Sequence, residues 1–525
     1  MERFWQMVKG GDSGAPADPG AAKKTAGALA QIVGAHVYPE SLAAQDGAML
    51  AIARRGIQQT LLVAWPAGQT PAIAVRFEGD QKKLDLPVGL ATVLEGPRVP
   101  ANAAALRETL PFTAPRSLDG RPSIGLGDRL GLATPGHVRA VRGTGFVPIL
   151  AQQSIREMTR TNRSPQQVID DATWGVFQTG FRDGFGADAD HLKSTDDIDR
   201  CAAVGFTFYT IDPGDHVDPQ ADDARPAALQ KKFAALPWDA LETTPDDARR
   251  RYAGLSAMLA NGSALAMDDV ALHRAAAKYG AAVAHTAALY RHLVGALGQA
   301  NFELEVSVDE TETPTTPPEH YYVAAELARL GVRWVSLAPR FVGRFEKGVD
   351  YIGDLGKWER SFVTHLAISE KFGGYKISLH SGSDKFSVYQ AAARHGGRRV
   401  HVKTAGTSYL EALRTVAGRQ PDLFREILDF ARSRYGEDKA TYHVSADLAK
   451  VPAADELPDD ALPSLLDQFD ARQVLHVTFG SVLSWDDGER FRHRLLDALK
   501  THEDAYADAL NRHIGRHIAP FLKGK

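Results

Sequence analysis

The chain has 525 residues, 44% hydrophobic and 24% charged, the composition of a soluble globular protein. A net charge of −4 leaves no electrostatic footprint for nucleic acid, no apolar run approaches the ~18 residues that cross a bilayer, and the single cysteine, Cys201, excludes an intramolecular disulfide. Eighteen histidines against one cysteine mean that any metal site is built from imidazole and carboxylate.

The first residues, "MERFWQMVKGGDSGAPADPG", lack the apolar stretch of a signal peptide, and with the lone cysteine the expected location is the cytoplasm. Residues 9–24 are rich in Gly, Ala and Pro and are expected to be flexible. "TLLVAWPA" and "PAIAVRFEG" read as two strands joined by a turn at Gly68, and "ANAAALRETLPF" as a helix. Residues 1–120 are thus expected to form an N-terminal extension or small α+β layer without chemistry of its own.

From about 121 the texture changes. Short apolar strands recur, each followed by a Gly/Pro/Ser turn and a helical stretch: "SIGLGDRLG", "FVPILAQQS", "FTFYTIDPGD", "FELEVSVDET", "WVSLAPR", "YKISLHSG", "RVHVKTAG", "TYHVSAD" and "VLHVTFG". Strands alternating with helices predict parallel βα units and an α/β fold over 121–525. The preferred form is a (β/α)8 TIM-type barrel, in which one of the nine candidates is supernumerary. A doubly wound open sheet is the competitor, although no GxGxxG follows the first strand. "MDDVALHRAAAKYGAAVAHTAALYRHLVGALG" predicts a long amphipathic helix or helix pair, with His273, His285 and His292 on its surface or in packing.

Polar residues fall on one face of these strands, since successive side chains alternate. "FELEVSVDET" puts Phe302, Leu304, Val306 and Val308 outward, and Glu303, Glu305, Ser307 and Asp309 inward. "KISLH" turns Lys376, Ser378 and His380 inward, and "VHVKT" does so with His401 and Lys403. "YHVSAD" adds His443 and Ser445, and "LHVTFG" adds His476 and Thr478. Barrel interiors are ordinarily filled by branched apolar residues, and buried ionisable groups are costly unless they pair or bind a cation. The pattern predicts a charged, metal-centred pocket. Glu303 and Glu305 are expected to pair with Lys376 or Lys403, while His401, His443 and His476 read first as hydrogen-bonded core residues.

Two stretches at strand ends carry more. "TIDPGDHVD" places Asp215 and His216 just past a strand, a general acid/base beside a metal ligand. "LHSGSDKF" places His380 at the rim, followed by a helix N-terminus able to hold an anion. "SVDETETP" offers Asp309 and Glu310 at the same level. Two imidazoles and a carboxylate suit Zn, Mn, Fe or Ni.

"YKISLHSGSDKFSVY", "VHVKTAGTSYLEALR", "FTFYTIDPGDHVD" and "LHVTFGSVL" together resemble the tagaturonate/fructuronate epimerase family of hexuronate catabolism, from about residue 120 to the C-terminus. The resemblance implies a TIM-barrel enzyme, dependent on a divalent metal ion, that interconverts two keto-uronic acids. A more distant likeness is to class II aldolases, whose Asp-His pair and "LHGGSG" turn resemble Asp215-His216 and His380-Ser381-Gly382; the continuation "DKFSVY" is unlike a phosphate loop. On this reading His216, Glu310 and His380 hold the metal, with His443 as a fourth ligand, and Asp215 and Lys403 are the acid/base groups. Arg344, Ser381, Gly382, Ser383, Lys385 and His401 are the candidates for holding the substrate. The two epimers differ at a carbon β to the ketone, which points to retro-aldol cleavage and re-addition. The alternatives are an aldolase proper, a metal-dependent sugar isomerase and, outside enzymes, a sugar-acid-binding protein. The expected partner is a small-molecule sugar acid, with a homo-oligomer left open.

Overall fold

The computed structural model describes residues 1–522. The expected barrel segment ran to 525, and 523–525 lie outside the described residues. Helices Glu2–Gly10 and Pro19–Val33 open the chain. The second begins inside the stretch expected to be flexible, because Asp18 accepts a hydrogen bond from Ala21 N (2.8 Å) and Pro19 stands at the first helical position.

These helices cover one face of an antiparallel sheet made of β1 (His36–Val37), β2 (Ala43–Gln45), β3 (Ala48–Arg55), β4 (Gln58–Pro66), β5 (Asp80–Leu86) and β6 (Gly89–Gly96), in the order β1-β3-β4-β6-β5 with β2 beside β3. Alternation along β3 sends Met49 and Ala51 to the helices, and Leu50 and Ile52 to the opposite face with Trp174 and Phe177. "TLLVAWP" is therefore a strand, as expected, and Pro100–Thr109 is the expected helix. "PAIAVRFEG" is not a strand. It folds into a 3₁₀ turn at Ala74–Arg76 that buries Ile73, Ala74 and Phe77 beneath the sheet, with β5 beginning only at Asp80.

The barrel is assembled from β7 (Ser123–Gly127), β8 (Val147–Ser154), β9 (Gly186–Leu192) and β10 (Phe208–Ile211), then, past a β11–β12 hairpin (Leu255–Met258, Ala264–Met267), from β13 (Glu303–Ser307), β14 (Ser336–Ala338), β15 (Lys376–Leu379) and β16 (Val400–Thr404). All neighbours in the closed ring β10-β13-β14-β15-β16-β7-β8-β9 are parallel, which settles the topology against an open sheet. The helix before β13 is one unbroken element, Asp269–Leu297.

Seven of the nine anticipated strands are in this ring. "TYHVSAD" is irregular chain leading to a 3₁₀ turn at Leu448–Lys450, so His443 and Ser445 are not strand residues. "VLHVTFG" lies in the helices Phe469–Val477 and Phe479–Ser484. Its short apolar run fits either period, and Val474, Leu475 and Phe479 are claimed by a helical cluster with Phe424 and Val482. The eighth strand, β9, was not anticipated: "GADADHL" has no β-branched residue, and packing on both sides overrides its weak propensity.

The polar interior is as the alternation required. At the N-terminal end of the barrel, Glu303 accepts hydrogen bonds from Leu118 N (2.9 Å) and Gly120 N (2.8 Å), and Lys376 donates to Ser123 Oγ (3.0 Å). Ion pairs occupy the level above.

Candidate active site

The site begins with an irregularity in β9. Tyr209 pairs with Ala189 and Ile211 with Leu192, so Asp190 and His191 together face the single residue Thr210. This is a β-bulge, and His191 takes up the extra residue at a left-handed φ of 53°. The result is two consecutive side chains in the barrel lumen. Asp190 Oδ1 lies 2.7 Å from Lys403 Nζ, and the His191 ring lies 5.1 Å from that of His380, edge to face.

Lys403 is the hub of the layer beneath. Its ammonium reaches Asp188 Oδ2 (2.6 Å), Asp190 Oδ1 (2.7 Å), Glu305 Oε1 (3.1 Å) and Thr210 Oγ1 (2.9 Å), all buried. Burial works against this ammonium, but the three carboxylates outweigh it and raise its pKa well above the ordinary value. Asp188 is pushed the other way, up to about 7, by burial and by the like charges of Asp190 and Glu305. Room for this cluster depends on Gly125, where a Cβ would stand 2.4 Å from Gln152 Oε1.

His380 rises from the end of β15, with Nε2 paired to Glu305 and Nδ1 facing Ser307 Oγ (3.1 Å) and Asp309 Oδ1 (3.4 Å). Burial lowers both lumen imidazoles, yet the surrounding carboxylates prevail, holding His380 at about 9 and His191 at about 10. Glu310, on the loop after β13, pairs with Arg156 (3.0 Å) and approaches Lys347 (3.8 Å); despite burial, His191 and Lys347 bring it down to about 2. Lys347 Nζ also donates to Ser381 Oγ (3.2 Å).

The anticipated site residues divide. His380, Glu310, Lys403 and Ser381 converge on the lumen. Asp215 and His216 do not: Asp215 pairs with Lys193 at 2.9 Å with its side chain 69% exposed, and His216 stacks on His285 with ring centroids 4.0 Å apart. The Asp-His pair facing His380 is Asp190–His191. His443 is exposed, and Arg344 is exposed beside Glu346 (3.5 Å). His401 sits at the barrel floor, its Nδ1 3.0 Å from Ser123 Oγ, and burial lowers it to about 3. Lys385 is fully buried and donates to the carbonyls of Glu346 (2.9 Å), Val349 (2.6 Å) and Ser383 (2.8 Å), stitching the loops after β14 and β15 together. Gly382 has no room for a side chain against the ends of β15 and β16, since a Cβ there would meet Leu379 O at 2.5 Å and Lys403 O at 3.1 Å. The helix N-terminus expected to hold an anion is already capped: Ser387 N donates to both Asp350 oxygens at 3.1 Å.

Beside Lys385, Asp384 adopts a φ of 61° and receives Arg472 Nη2 (2.7 Å) and His513. His517 Nε2 accepts from Asp384 N (3.0 Å), and His513 Nδ1 faces Glu411 Oε1 (3.1 Å).

Two groups have ligand atoms gathered within 4.8 Å of one another: Asp190, His191 and His380, and Asp384, His513 and His517. The first fits a metal ion. It offers two imidazoles and a carboxylate at a barrel mouth, and His191 Nδ1 is buried without a hydrogen-bond partner among the described residues, with Asp212 Oδ2 at 3.5 Å. In the second, Asp384 and Glu411 take the two His513 nitrogens, and His517 Nε2 and Nδ1 are engaged by Asp384 N and His513 O, so neither imidazole keeps an open nitrogen as His191 does.

A parallel eight-stranded barrel with acids and imidazoles converging at the C-terminal ends of its strands defines a barrel enzyme. The chain belongs to the tagaturonate epimerase family, isomerase-class enzymes: the family model described as UxaE, tagaturonate epimerase, matches residues 38–521. It is 45% identical over 417 residues to the tagaturonate/fructuronate epimerase of Thermotoga maritima, covering 79% of this chain and 84% of that one. The crystal structure of fructuronate-tagaturonate epimerase UxaE from Cohnella laeviribosi, complexed with one glycerol, superposes with a TM-score of 0.87 at 36% identity, covering 95% of this chain and 99% of that one. The YdjI aldolase from Escherichia coli K12 aligns at 10% identity and a TM-score of 0.32, too distant to carry an argument; the alignment covers 73% of this chain and 92% of that one.

Proposed function

We propose that this chain interconverts tagaturonate and fructuronate at a divalent metal ion held by Asp190, His191 and His380. The observation that carries the reading is the convergence of these three at the barrel mouth, in a chain 45% identical to a tagaturonate/fructuronate epimerase. Supporting it is the charge of the pocket. Asp188, Asp190, Glu305, Asp309 and Glu310 surround the imidazoles, and the raised pKa values of His191 and His380 mark a place that attracts positive charge. A bound divalent ion would satisfy that demand in place of two imidazolium protons and, as a Lewis acid, would polarise the substrate ketone and neighbouring hydroxyl.

The remaining roles follow from position. Lys403, locked as a cation by three carboxylates, is not a base; it sets the potential beneath the reacting carbons. Glu310 is ionised and 32% exposed at the rim, placed to take the hydroxyl proton from the carbon that inverts and to return it after re-addition. Losing that proton turns the C–O bond into a carbonyl as the adjacent C–C bond breaks toward the ketone, leaving an enediolate and an aldehyde. Rotation of the aldehyde and re-addition on its other face then give the epimer. Lys347, beside Ser381, and Arg156 are the cations at the mouth for the substrate carboxylate.

The test is metal analysis together with an assay on tagaturonate. One equivalent of metal per chain is expected, with epimerisation lost on chelation and in His191→Ala and His380→Ala variants that remain folded. Wild-type turnover by a metal-free or His380→Ala protein would overturn the reading. Accumulation of free aldehyde in place of the epimer would assign an aldolase.

A further inference from the structure

A cavity of about 1320 Å³ lies between the N-terminal sheet and the outside of the barrel, and neither Asp190, His191, His380 nor Lys403 lines it. Of the arginines that line it, three gather around Asp171: Arg98, from the segment after β6; Arg163, ahead of the helix Pro165–Thr179; and Arg492, at the start of the helix Arg492–Thr501.

Their compensation is incomplete. Arg163 Nη2 reaches Asp171 Oδ2 at 2.6 Å. Arg98 and Arg492 have no carboxylate oxygen within 4.0 Å among the described residues, and both guanidiniums are lowered by burial, with Asp171 only partly opposing this. The neighbouring acids are committed elsewhere. Asp128 accepts from Leu130 N (3.0 Å), Gly131 N (2.8 Å) and Ala133 N (2.8 Å), and Asp170 accepts from Arg107 (2.7 Å). Arg98 lies 5.3 Å over the Trp174 ring, donates one bond to Gln59 and keeps a buried Nε without a partner among the described residues. Arg492 spends one donor on Thr161 O (2.8 Å). A guanidinium carries five N–H donors in a planar fork. The cluster thus holds unspent donors and unbalanced charge facing an open volume, where desolvated cations are stable only if an anion joins them.

We propose that this cavity is a second ligand site, separate from the barrel mouth, for a small metabolite whose phosphate or carboxylate group seats on Arg98, Arg163 and Arg492 beside Trp174. Such a ligand bridges the segment after the sheet to the C-terminal helices and stabilises their packing through its binding free energy.

The experiment titrates the full-length protein with inorganic phosphate and, separately, malonate, reading heat of binding and unfolding temperature in wild type, Arg98→Gln and Arg492→Gln. Saturable binding with a rise in unfolding temperature is expected in wild type, weakened about tenfold or more in each variant by loss of a charge-assisted contact, while basal epimerase turnover is unchanged. A response to phosphate alone assigns a phosphorylated ligand, and a response to malonate alone a carboxylate. Arg492→Gln, at a partly buried side chain that gives up one hydrogen bond to Thr161 O, keeps the test open if Arg98→Gln does not fold. Absence of saturable binding of either anion to wild type, or equal binding by the folded variants, overturns the proposal.

Discussion

At the scale of single residues, the lumen is governed by Lys403. Its neutral replacement Lys403→Met leaves Asp188, Asp190 and Glu305 buried without their cation. The expected loss is about 3–5 kcal/mol of unfolding free energy, read from urea denaturation. Lys347 offers the contrasting case. It is partly exposed, and among the described residues its ammonium is linked to Ser381 and Glu310 alone, so Lys347→Ala is expected to leave the unfolding temperature in place. Steady-state kinetics on tagaturonate should show KM raised about tenfold by the missing charge-assisted contact to the carboxylate. His380 was legible because "KISLH" alternates without interruption and the strand meets the lumen in the register the alternation implies. His191 was hidden, because strict alternation sends the neighbour of an inward Asp190 to the outside.

At the scale of elements, the same physics explains which strands could be read. β13, β15 and β16 carry branched apolar residues on one face and polar ones on the other, and both signals agree. β9 carries Ala where they carry Val or Leu, so only its two inward aspartates mark it. "VLHVTFG" shows the opposite failure, an apolar run whose helical neighbours decided its conformation. The helix layer also holds a group of neutral buried histidines. His320 Nδ1 lies 2.8 Å from His365 Nδ1, Tyr375 Oη bonds His320 Nε2 at 2.6 Å, and His137 Nε2 lies 2.7 Å from Ser408 Oγ. Burial lowers His137 and His365 to about 4, and burial together with the His365 ring beside it holds His320 well below the ordinary imidazole value. Below the unfolded value of about 6.5 the denatured chain takes up protons that the native one refuses, so stability falls as pH drops. Unfolding free energies measured between pH 7.5 and 4.5 should decline by on the order of 1 kcal/mol per pH unit per histidine below pH 6.5. Replacing His320 and His365 together by glutamine should flatten that slope.

At the scale of the whole molecule, the last helix reaches back to the site. Glu503–Leu522 contributes His513 and His517 to Asp384, four residues beyond His380, and Lys385 fastens the same loop to the one after β14. His513→Ala removes one partner each from Asp384 and Glu411 while Arg472 still holds Asp384. The expected cost is about 1–3 kcal/mol in urea unfolding, accompanied by a fall in kcat as the loop bearing His380 loosens. This tie was out of reach of the sequence, where the two partners stand more than a hundred residues apart with no shared motif.

The bulge in β9 can also be stated as a change of phase. Before it, even-numbered residues face the lumen; at it, the odd-numbered His191 does, and Leu192 turns to the outer core. Deleting any one residue between Asp188 and Leu192 would erase the phase change, leaving the strand continuous but with only one side chain of the pair inside. Transplanting this site onto another barrel therefore means copying a count of residues between two strand pairings, and the identities Asp and His come second.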